Sequence, residues 1–154
     1  MVRIVLDANQ FVSALLKPGS NPHAIMQLVR EENVVLLVSE AICDEILRVL
    51  TYPKIRKRLN RSEEYLADFV QKLRSVAIVT PGAVTLDPLS SDPDNTKYLA
   101  CAVEGKADFI ISGDHHLKEL KSFRGIRIVD PAAFLAVMEE NSLNPSRAGR
   151  AGTD

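Results

Sequence analysis

The sequence predicts a three-layer α/β/α domain, in which a mostly parallel β-sheet lies between layers of helices. Short apolar runs rich in β-branched residues alternate along the chain with amphipathic stretches, and parallel strands need such crossover connections. The chain has 154 residues, which is enough for one ordinary domain with its own core. Hydrophobic residues make up 46% and charged residues 25%, and this composition excludes a disordered or fibrous chain.

Five apolar runs are predicted to form a sheet of about five strands. Each run is short and bulky throughout, which is typical of strands that are buried on both faces. The runs are residues 2–6, 34–38, 76–79, 109–111 and 126–129.

Helices are predicted where a capping residue precedes an apolar stripe. In the first half of the chain, Asn21 stands before Pro22, a residue that is well tolerated in the first helical turn. Ser39 begins the next helix, which stops before Pro53.

Three further helices are predicted in the second half of the chain. Asn60, with Glu63 three residues later, resembles a capping box. Residues 96–104 form another amphipathic stretch, and Asp130 before Pro131 starts the last helix. We expect one domain over residues 1–140. Residues 141–154 lack large apolar side chains apart from Leu143, so we expect a flexible C-terminal tail there.

Charge and cysteine usage limit the classes of function. The chain has 19 Lys and Arg against 20 Asp and Glu, a net charge of −1, so any nucleic-acid contact must come from a local basic patch. Cys43 and Cys101 form no CxxC pair and are expected to fill the core. No stretch resembles a signal peptide or reaches the roughly 20 apolar residues of a membrane span, so a cytoplasmic protein without membrane contact is expected.

Two acidic residues follow predicted strands. Asp7 comes directly after the first strand, and Asp114 comes shortly after the fourth. Ligands of open α/β sheets bind beyond the carboxyl ends of the strands, so these side chains are candidates for a site. Taken singly, each also fits a helix N-cap or a turn.

Further acidic candidates lie on a helix margin and before a helix. Glu45 sits at the edge of its helix's apolar stripe, where it either serves a site or reaches solvent past its neighbours. Residues 91–95, which include Asp92 and Asp94, lie at a helix entry where acids are also ordinary capping residues. Together these oxygen ligands favour Mg²⁺ or Mn²⁺, and no Cys/His set has zinc spacing.

The acidic segments, taken together and in order, resemble the PIN-domain family of metal-dependent nucleases. The resemblance covers about residues 1–138. The matching segments are residues 2–9 with Asp7-x-Asn9, 39–50 with Glu45, 92–102 with Asp92-Pro93-Asp94-Asn95, and 107–114, which ends in Ser112-x-Asp114.

The resemblance implies a sheet with strand order 3-2-1-4-5, with the first and fourth strands adjacent. It also implies cleavage of RNA phosphodiester bonds with Mg²⁺ or Mn²⁺. Many small members of the family are toxins of type II toxin–antitoxin systems and form homodimers. We therefore expect an RNA substrate, an antitoxin protein as partner and a homodimer.

One position departs from the family's pattern. The family's third acid falls on Asn95, which can offer oxygen but no charge. We assign metal coordination to Asp7, Glu45, Asp94 and Asp114, with Asp92 or Asn95 as alternatives for the third position. Asn9 and Ser112 would orient these ligands, and mutual repulsion should raise at least one carboxyl pKa.

The densest basic run is the candidate RNA contact. It comprises Lys54, Arg56, Lys57, Arg58 and Arg61, with Tyr52 available to stack on a base. The alternative is a solvated linker between helices. Likewise, the adjacent His115 and His116 either contact substrate or begin a solvent-facing helix.

Two other functions stay open at the level of sequence. A haloacid-dehalogenase-type phosphatase also starts with Asp after its first strand, but it needs a second Asp where this chain has Asn9. A catalytically weakened RNA- or partner-binding module is favoured by Asn95 and by the near-zero net charge.

Overall fold

The computed structural model describes residues 1–86 and 93–143. Within them the chain folds into six strands, eight α-helices and one 3₁₀ turn. In chain order these are β1 (Arg3–Leu6), α1 (Ala8–Leu16), α2 (Asn21–Arg30), β2 (Val35–Val38), α3 (Glu40–Leu50), α4 (Pro53–Leu59), α5 (Glu63–Val76), β3 (Ile78–Val79), the 3₁₀ turn (Pro93–Asn95), α6 (Thr96–Glu104), β4 (Phe109–Ile111), α7 (His115–Leu120), β5 (Ser122–Phe123), β6 (Ile126–Val129) and α8 (Pro131–Leu143).

The sheet has the order β3-β2-β1-β4-β6-β5. All neighbouring strands run parallel except β5, which pairs antiparallel with β6. The five predicted strands therefore have the expected order, with β1 between β2 and β4. The additional strand β5 has only two residues, and it was not predicted because so short an element leaves no periodicity in the sequence.

The predicted three-layer architecture is confirmed. Helices α1, α2, α3 and α5 pack against one another, whereas α6 packs on β1, β2 and β4. The core between sheet and helices includes Phe11 and Phe134, both fully buried. Cys43 and Cys101 are buried and unpaired, as expected of residues that fill the core.

Two helices and two helix starts differ from the prediction. α1 was not predicted, although a helix N-cap was one of the two interpretations of Asp7, which does cap this helix. α4 was missed because its basic run was treated as a linker or a contact surface. Ser20 rather than Asn21 caps α2, and Ser62 rather than Asn60 caps α5. Asn60 instead ends α4 in the left-handed conformation, with φ of 53°.

The C-terminal boundary lies in a helix. α8 continues to Leu143, so residues 141–143 of the predicted tail are helical. The rest of that tail, like Asp92, lies outside the described residues. In the part of the chain that the structure describes, no helix is both long and apolar enough to span a membrane.

Candidate metal centre

The carboxyl ends of β1 and β4 bring two of the predicted acids to one edge of the sheet. β1 ends at Leu6 and β4 at Ile111, and these residues are paired in register. The backbone N–H of Asp7 donates a hydrogen bond to the carbonyl oxygen of Ile111 at 3.2 Å. Asp7 therefore leaves β1 beside the loop that carries Asp114.

Asp7 is a buried carboxylate at the start of α1. Only 5% of the residue is exposed, and its Oδ1 accepts a hydrogen bond from the N–H of Asn9 at 2.8 Å. Burial raises the pKa of Asp7, although hydrogen bonds from Ser112 and from nearby backbone amides oppose the shift. A raised carboxyl pKa was predicted, but its main cause is burial and not the expected repulsion between acids.

Ser112 connects the two strand-end acids. The side chain is fully buried, and its Oγ accepts a hydrogen bond from the N–H of Asp114 at 2.9 Å. Ser112 also hydrogen-bonds the carboxylate of Asp7. One hydroxyl group thus holds both acidic segments in place.

Asp114 caps α7 as well as facing the site. Its Oδ1 accepts hydrogen bonds from the N–H groups of His116 at 2.8 Å and Leu117 at 3.1 Å. The Nδ2 of Asn95 donates to the same oxygen at 3.4 Å. His115 and His116 begin α7 on the exposed surface, and His115 pairs with Glu119, which agrees with a solvent-facing helix start.

Glu45, on α3, is held by two cations. Arg48 contacts both of its carboxylate oxygens at 2.7 Å, and the Nζ of Lys97 lies 3.3 Å from Oε2. Partial burial disfavours the charged form, but these two partners outweigh it and hold the pKa of Glu45 below its usual value.

All four predicted ligands line one cleft, here called the acidic cleft, with a volume of about 170 Å³. Its lining comprises Asp7, Asn9, Glu45, Asp94, Asn95, Lys97, Tyr98 and Asp114. Both Asp94 and Asn95 therefore reach the cleft. The four acidic side chains, which the sequence places in four separate segments, therefore lie around the same cleft.

The family can be assigned on this geometry together with the sequence. The model of the PIN domain family matches residues 3–116. The chain belongs to the PIN-domain family. PIN domains are generally nucleases, and this agrees with acids gathered at the carboxyl edge of the sheet.

The chain is also similar to one curated protein in sequence and to one solved structure in fold. The chain is 32% identical to an uncharacterized protein of Methanocaldococcus jannaschii over 120 residues, which is 78% of this chain and 76% of the relative. Its fold is similar to that of a chain in the VapBC2 complex from Rickettsia felis, solved bound to a DNA fragment from their promoter. That likeness has a TM-score of 0.53 and 11% identity, and covers 82% of this chain and 97% of the other.

The donor set of this PIN domain fits a hard divalent cation. Carboxylate and amide oxygens are the ligands that Mg²⁺ and Mn²⁺ prefer. Among residues 1–86 and 93–143, however, no three Asp, Glu, His or Cys side chains are already grouped closely enough to hold an ion. Glu45 instead contacts Arg48 and Lys97. For Glu45 to bind a metal ion, at least one of its carboxylate oxygens would have to lose these contacts.

Sequence reasoning missed three residues of the PIN-domain site: Arg48, Lys97 and Tyr98. The Oη of Tyr98 accepts a hydrogen bond from the N–H of Ala8 at 3.1 Å, which anchors α6 to the start of α1. Burial raises the pKa of this phenol. The available signal was Lys97, a cation two residues after the acidic segment 91–95.

A second depression, here called the basic groove, lies between α4 and the start of α5. It has a volume of about 530 Å³ and is lined by Thr51, Pro53, Arg56, Lys57, Asn60, Arg61 and Ser62. Arg56 pairs with Glu63 at 2.9 Å, and the guanidinium of Arg61 lies 4.8 Å from the ring centroid of Tyr65. Tyr52, at the start of α4, is 60% exposed. Four of the five cations of the basic run therefore lie on helix α4, and Arg61 follows its C-terminal end.

Proposed function

We propose that this PIN domain is a divalent-metal-dependent endoribonuclease that hydrolyses RNA phosphodiester bonds in the acidic cleft. The observation that carries the proposal is the convergence of Asp7, Glu45, Asp94 and Asp114 on one cleft. These acids come from four separate parts of the chain. Burying the carboxylate of Asp7 costs free energy, as its raised pKa indicates, and a bound cation would offset that cost.

The acidic cleft needs a cation before it can act on RNA. Four carboxylates repel a phosphodiester, but a bound Mg²⁺ or Mn²⁺ would polarise the phosphate and lower the pKa of a water molecule. Asp7, Glu45, Asp94 and Asp114 would hold the ion. Asn9 and Ser112 would position Asp7 through the hydrogen bonds described above.

RNA binding is assigned to the basic groove and the adjoining face of α4. Arg56, Lys57 and Arg61 line the groove, and Lys54 and Arg58 belong to the same helix. Such a cationic surface binds the RNA backbone without reading its sequence, while exposed Tyr52 offers a ring on which a base can stack.

We further propose a role as the toxin of a type II toxin–antitoxin pair. Its partners would be an antitoxin protein and a second copy of the chain. The support is the membership of the PIN-domain family and the fold shared with a chain of the VapBC2 complex. The test is to express the chain alone and together with the protein encoded by the neighbouring gene. We expect growth arrest by the chain alone, relief of that arrest on co-expression, and co-purification of the two proteins. Normal growth when the chain is expressed alone would contradict the toxin role.

A second candidate is an RNA- or partner-binding module with a weakened metal site. It is favoured by Asn95, which brings no charge to the acidic cleft, and by the cations that hold Glu45. A haloacid-dehalogenase-type phosphatase is disfavoured, because Asn9 stands where that chemistry needs an acid.

The decisive experiment compares cleavage of a structured RNA by the wild type and by Asp7→Asn and Glu45→Gln, with and without Mn²⁺. We expect Mn²⁺-dependent cleavage that falls about 100-fold or more in both variants. Asp44→Asn is the matched control, because Asp44 is an exposed neighbour of Glu45 on α3. Equal rates in wild type and Asp7→Asn would remove Asp7 from the mechanism and contradict the assignment of cleavage to the acidic cleft. RNA binding without cleavage or Mn²⁺-dependent stabilisation would favour the binding module.

A further inference from the structure

We propose that Lys97 binds the RNA phosphate in the acidic cleft and is therefore a substrate-binding residue of the nuclease. The inference rests on the proposed function and adds to it a specific contact. Among the described residues that line this cleft, Lys97 is the one cation, beside four carboxylates.

Lys97 is held in position and not freely solvated. Its side chain is 22% exposed, and its Nζ lies 3.3 Å from the Oε2 of Glu45. The same Nζ lies 5.8 Å from the ring centroid of Tyr98, within the range of a cation–π contact. The amine is thus directed towards the cleft by groups that belong to the site.

Neutralising Glu45 does not by itself explain Lys97. Arg48 already contacts both carboxylate oxygens of Glu45 at 2.7 Å, and a bidentate guanidinium is the stronger partner for a carboxylate. The single contact of Lys97 is longer, at 3.3 Å. Glu45 would therefore keep a counter-charge if the amine turned to another anion.

Helix stability does not explain Lys97 either. It is the second residue of α6, whose N-cap makes no side-chain hydrogen bond to the first turn. The N-terminal end of a helix favours anions and disfavours cations. A lysine at this position opposes the helix dipole, so helix stability does not account for it.

A phosphodiester supplies the anion that these observations call for. Lysine binds phosphate as a compact point charge with three N–H donors, and its flexible stem allows the amine to follow the substrate. The contact would offset the repulsion between the RNA backbone and the carboxylates that line the same cleft.

The test measures RNA affinity and Mn²⁺ affinity separately for Lys97→Met and Lys97→Arg. RNA binding is measured in the Asp7→Asn background, where the RNA stays intact, over a range of salt concentrations. We expect Lys97→Met to weaken binding about tenfold and to lower the slope of log affinity against log salt by about 0.7. Lys97→Arg should recover most of the affinity, because it keeps the charge.

Lys106→Met is the matched control, since it removes a lysine just beyond the opposite end of α6, where it lines a different cavity. It should leave the RNA affinity unchanged. If Lys97→Met tightens Mn²⁺ binding but leaves the RNA affinity and salt slope unchanged, Lys97 is only a counter-ion of Glu45 and the inference is wrong. If the wild type shows no Mn²⁺-dependent cleavage, the proposed nuclease function is wrong. If the wild type cleaves RNA but Lys97→Met binds RNA as tightly as the wild type does, only the proposed Lys97 contact is wrong.

Discussion

The Oγ of Ser112 lies 2.9 Å from the backbone nitrogen of Asp114 and accepts its hydrogen bond. Because the same side chain hydrogen-bonds Asp7, one fully buried serine joins the end of β1 to the loop after β4. The two strand-end acids that line the acidic cleft are therefore positioned by a group that touches neither solvent nor, in the proposed mechanism, the substrate.

Replacing Ser112 with alanine should affect both stability and the metal site. The change removes the acceptor of the Asp114 N–H and one of the hydrogen bonds to the carboxylate of Asp7, so we expect a loss of about 1–3 kcal/mol in the free energy of unfolding. Mn²⁺ affinity should fall by about 10- to 100-fold. Urea denaturation and Mn²⁺ titration measure the two effects. Ser122→Ala, at an exposed position in β5, should change neither, and a Ser112→Ala protein of wild-type stability would contradict the role of this hydroxyl.

Asp7 makes the stability of the metal-free protein depend on pH. Since burial raises its folded-state pKa above the ordinary value of 3.8, the folded protein binds this proton more tightly than the unfolded chain does. That contribution to stability is complete below pH 3.8 and is lost as the pH rises through the raised pKa. Asp7→Asn should therefore have a higher melting temperature than the wild type at pH 7 in EDTA, and the difference should shrink on acidification. A lower melting temperature for Asp7→Asn at pH 7 would show that the ionised carboxylate is stabilising.

Asn95 offers a direct test of the third acidic position. The residue is 7% exposed, and its amide donates to Asp114 at 3.4 Å. Asn95→Asp replaces this donor with a charge, so it should destabilise the metal-free protein and tighten Mn²⁺ binding by about tenfold, as an added charged ligand does. Thermal melts with and without Mn²⁺ measure both effects.

Asp94 is assigned the same position by the proposed function. Asp94→Asn should therefore weaken Mn²⁺ binding, whereas Asp44→Asn, an exposed acid on α3, should not. Unchanged Mn²⁺ affinity in Asp94→Asn would remove this residue from the ligand set and shift the third position to Asp92 or Asn95.

The basic groove should dominate the salt dependence of RNA binding. The double variant Lys57→Glu/Arg61→Glu removes two cations that line it. For a single-stranded RNA, we expect the slope of log affinity against log salt to fall by about 1.4. Lys121→Glu/Arg124→Glu changes the charge equally at exposed positions outside the groove. Equal losses in the two double variants would mean that net charge, and not the groove, governs binding.

The sheet was largely predictable because its strands are short apolar runs with local signatures. Runs 109–111 and 126–129 coincide with β4 and β6, whereas the predicted run 76–79 contributes only Ile78–Val79, because α5 extends to Val76. The helix starts of α2 and α5 were misplaced by one or two residues, because several residues that can cap a helix stand close together there. Ser20 and Asn21, like Asn60 and Ser62, can all cap a helix, and only packing selects between them.

The sequence by itself indicated the family motifs and the four candidate acids at the strand ends and helix margins, because each depends on side-chain chemistry within a few neighbouring residues. The order of the central strands was expected only from the resemblance to the PIN-domain family. The tertiary structure decided that these acids share one cleft, that Arg48 and Lys97 face Glu45, and that burial raises the pKa of Asp7. These properties arise where helices and strands distant in the chain pack together, and local periodicity does not specify the distances between them.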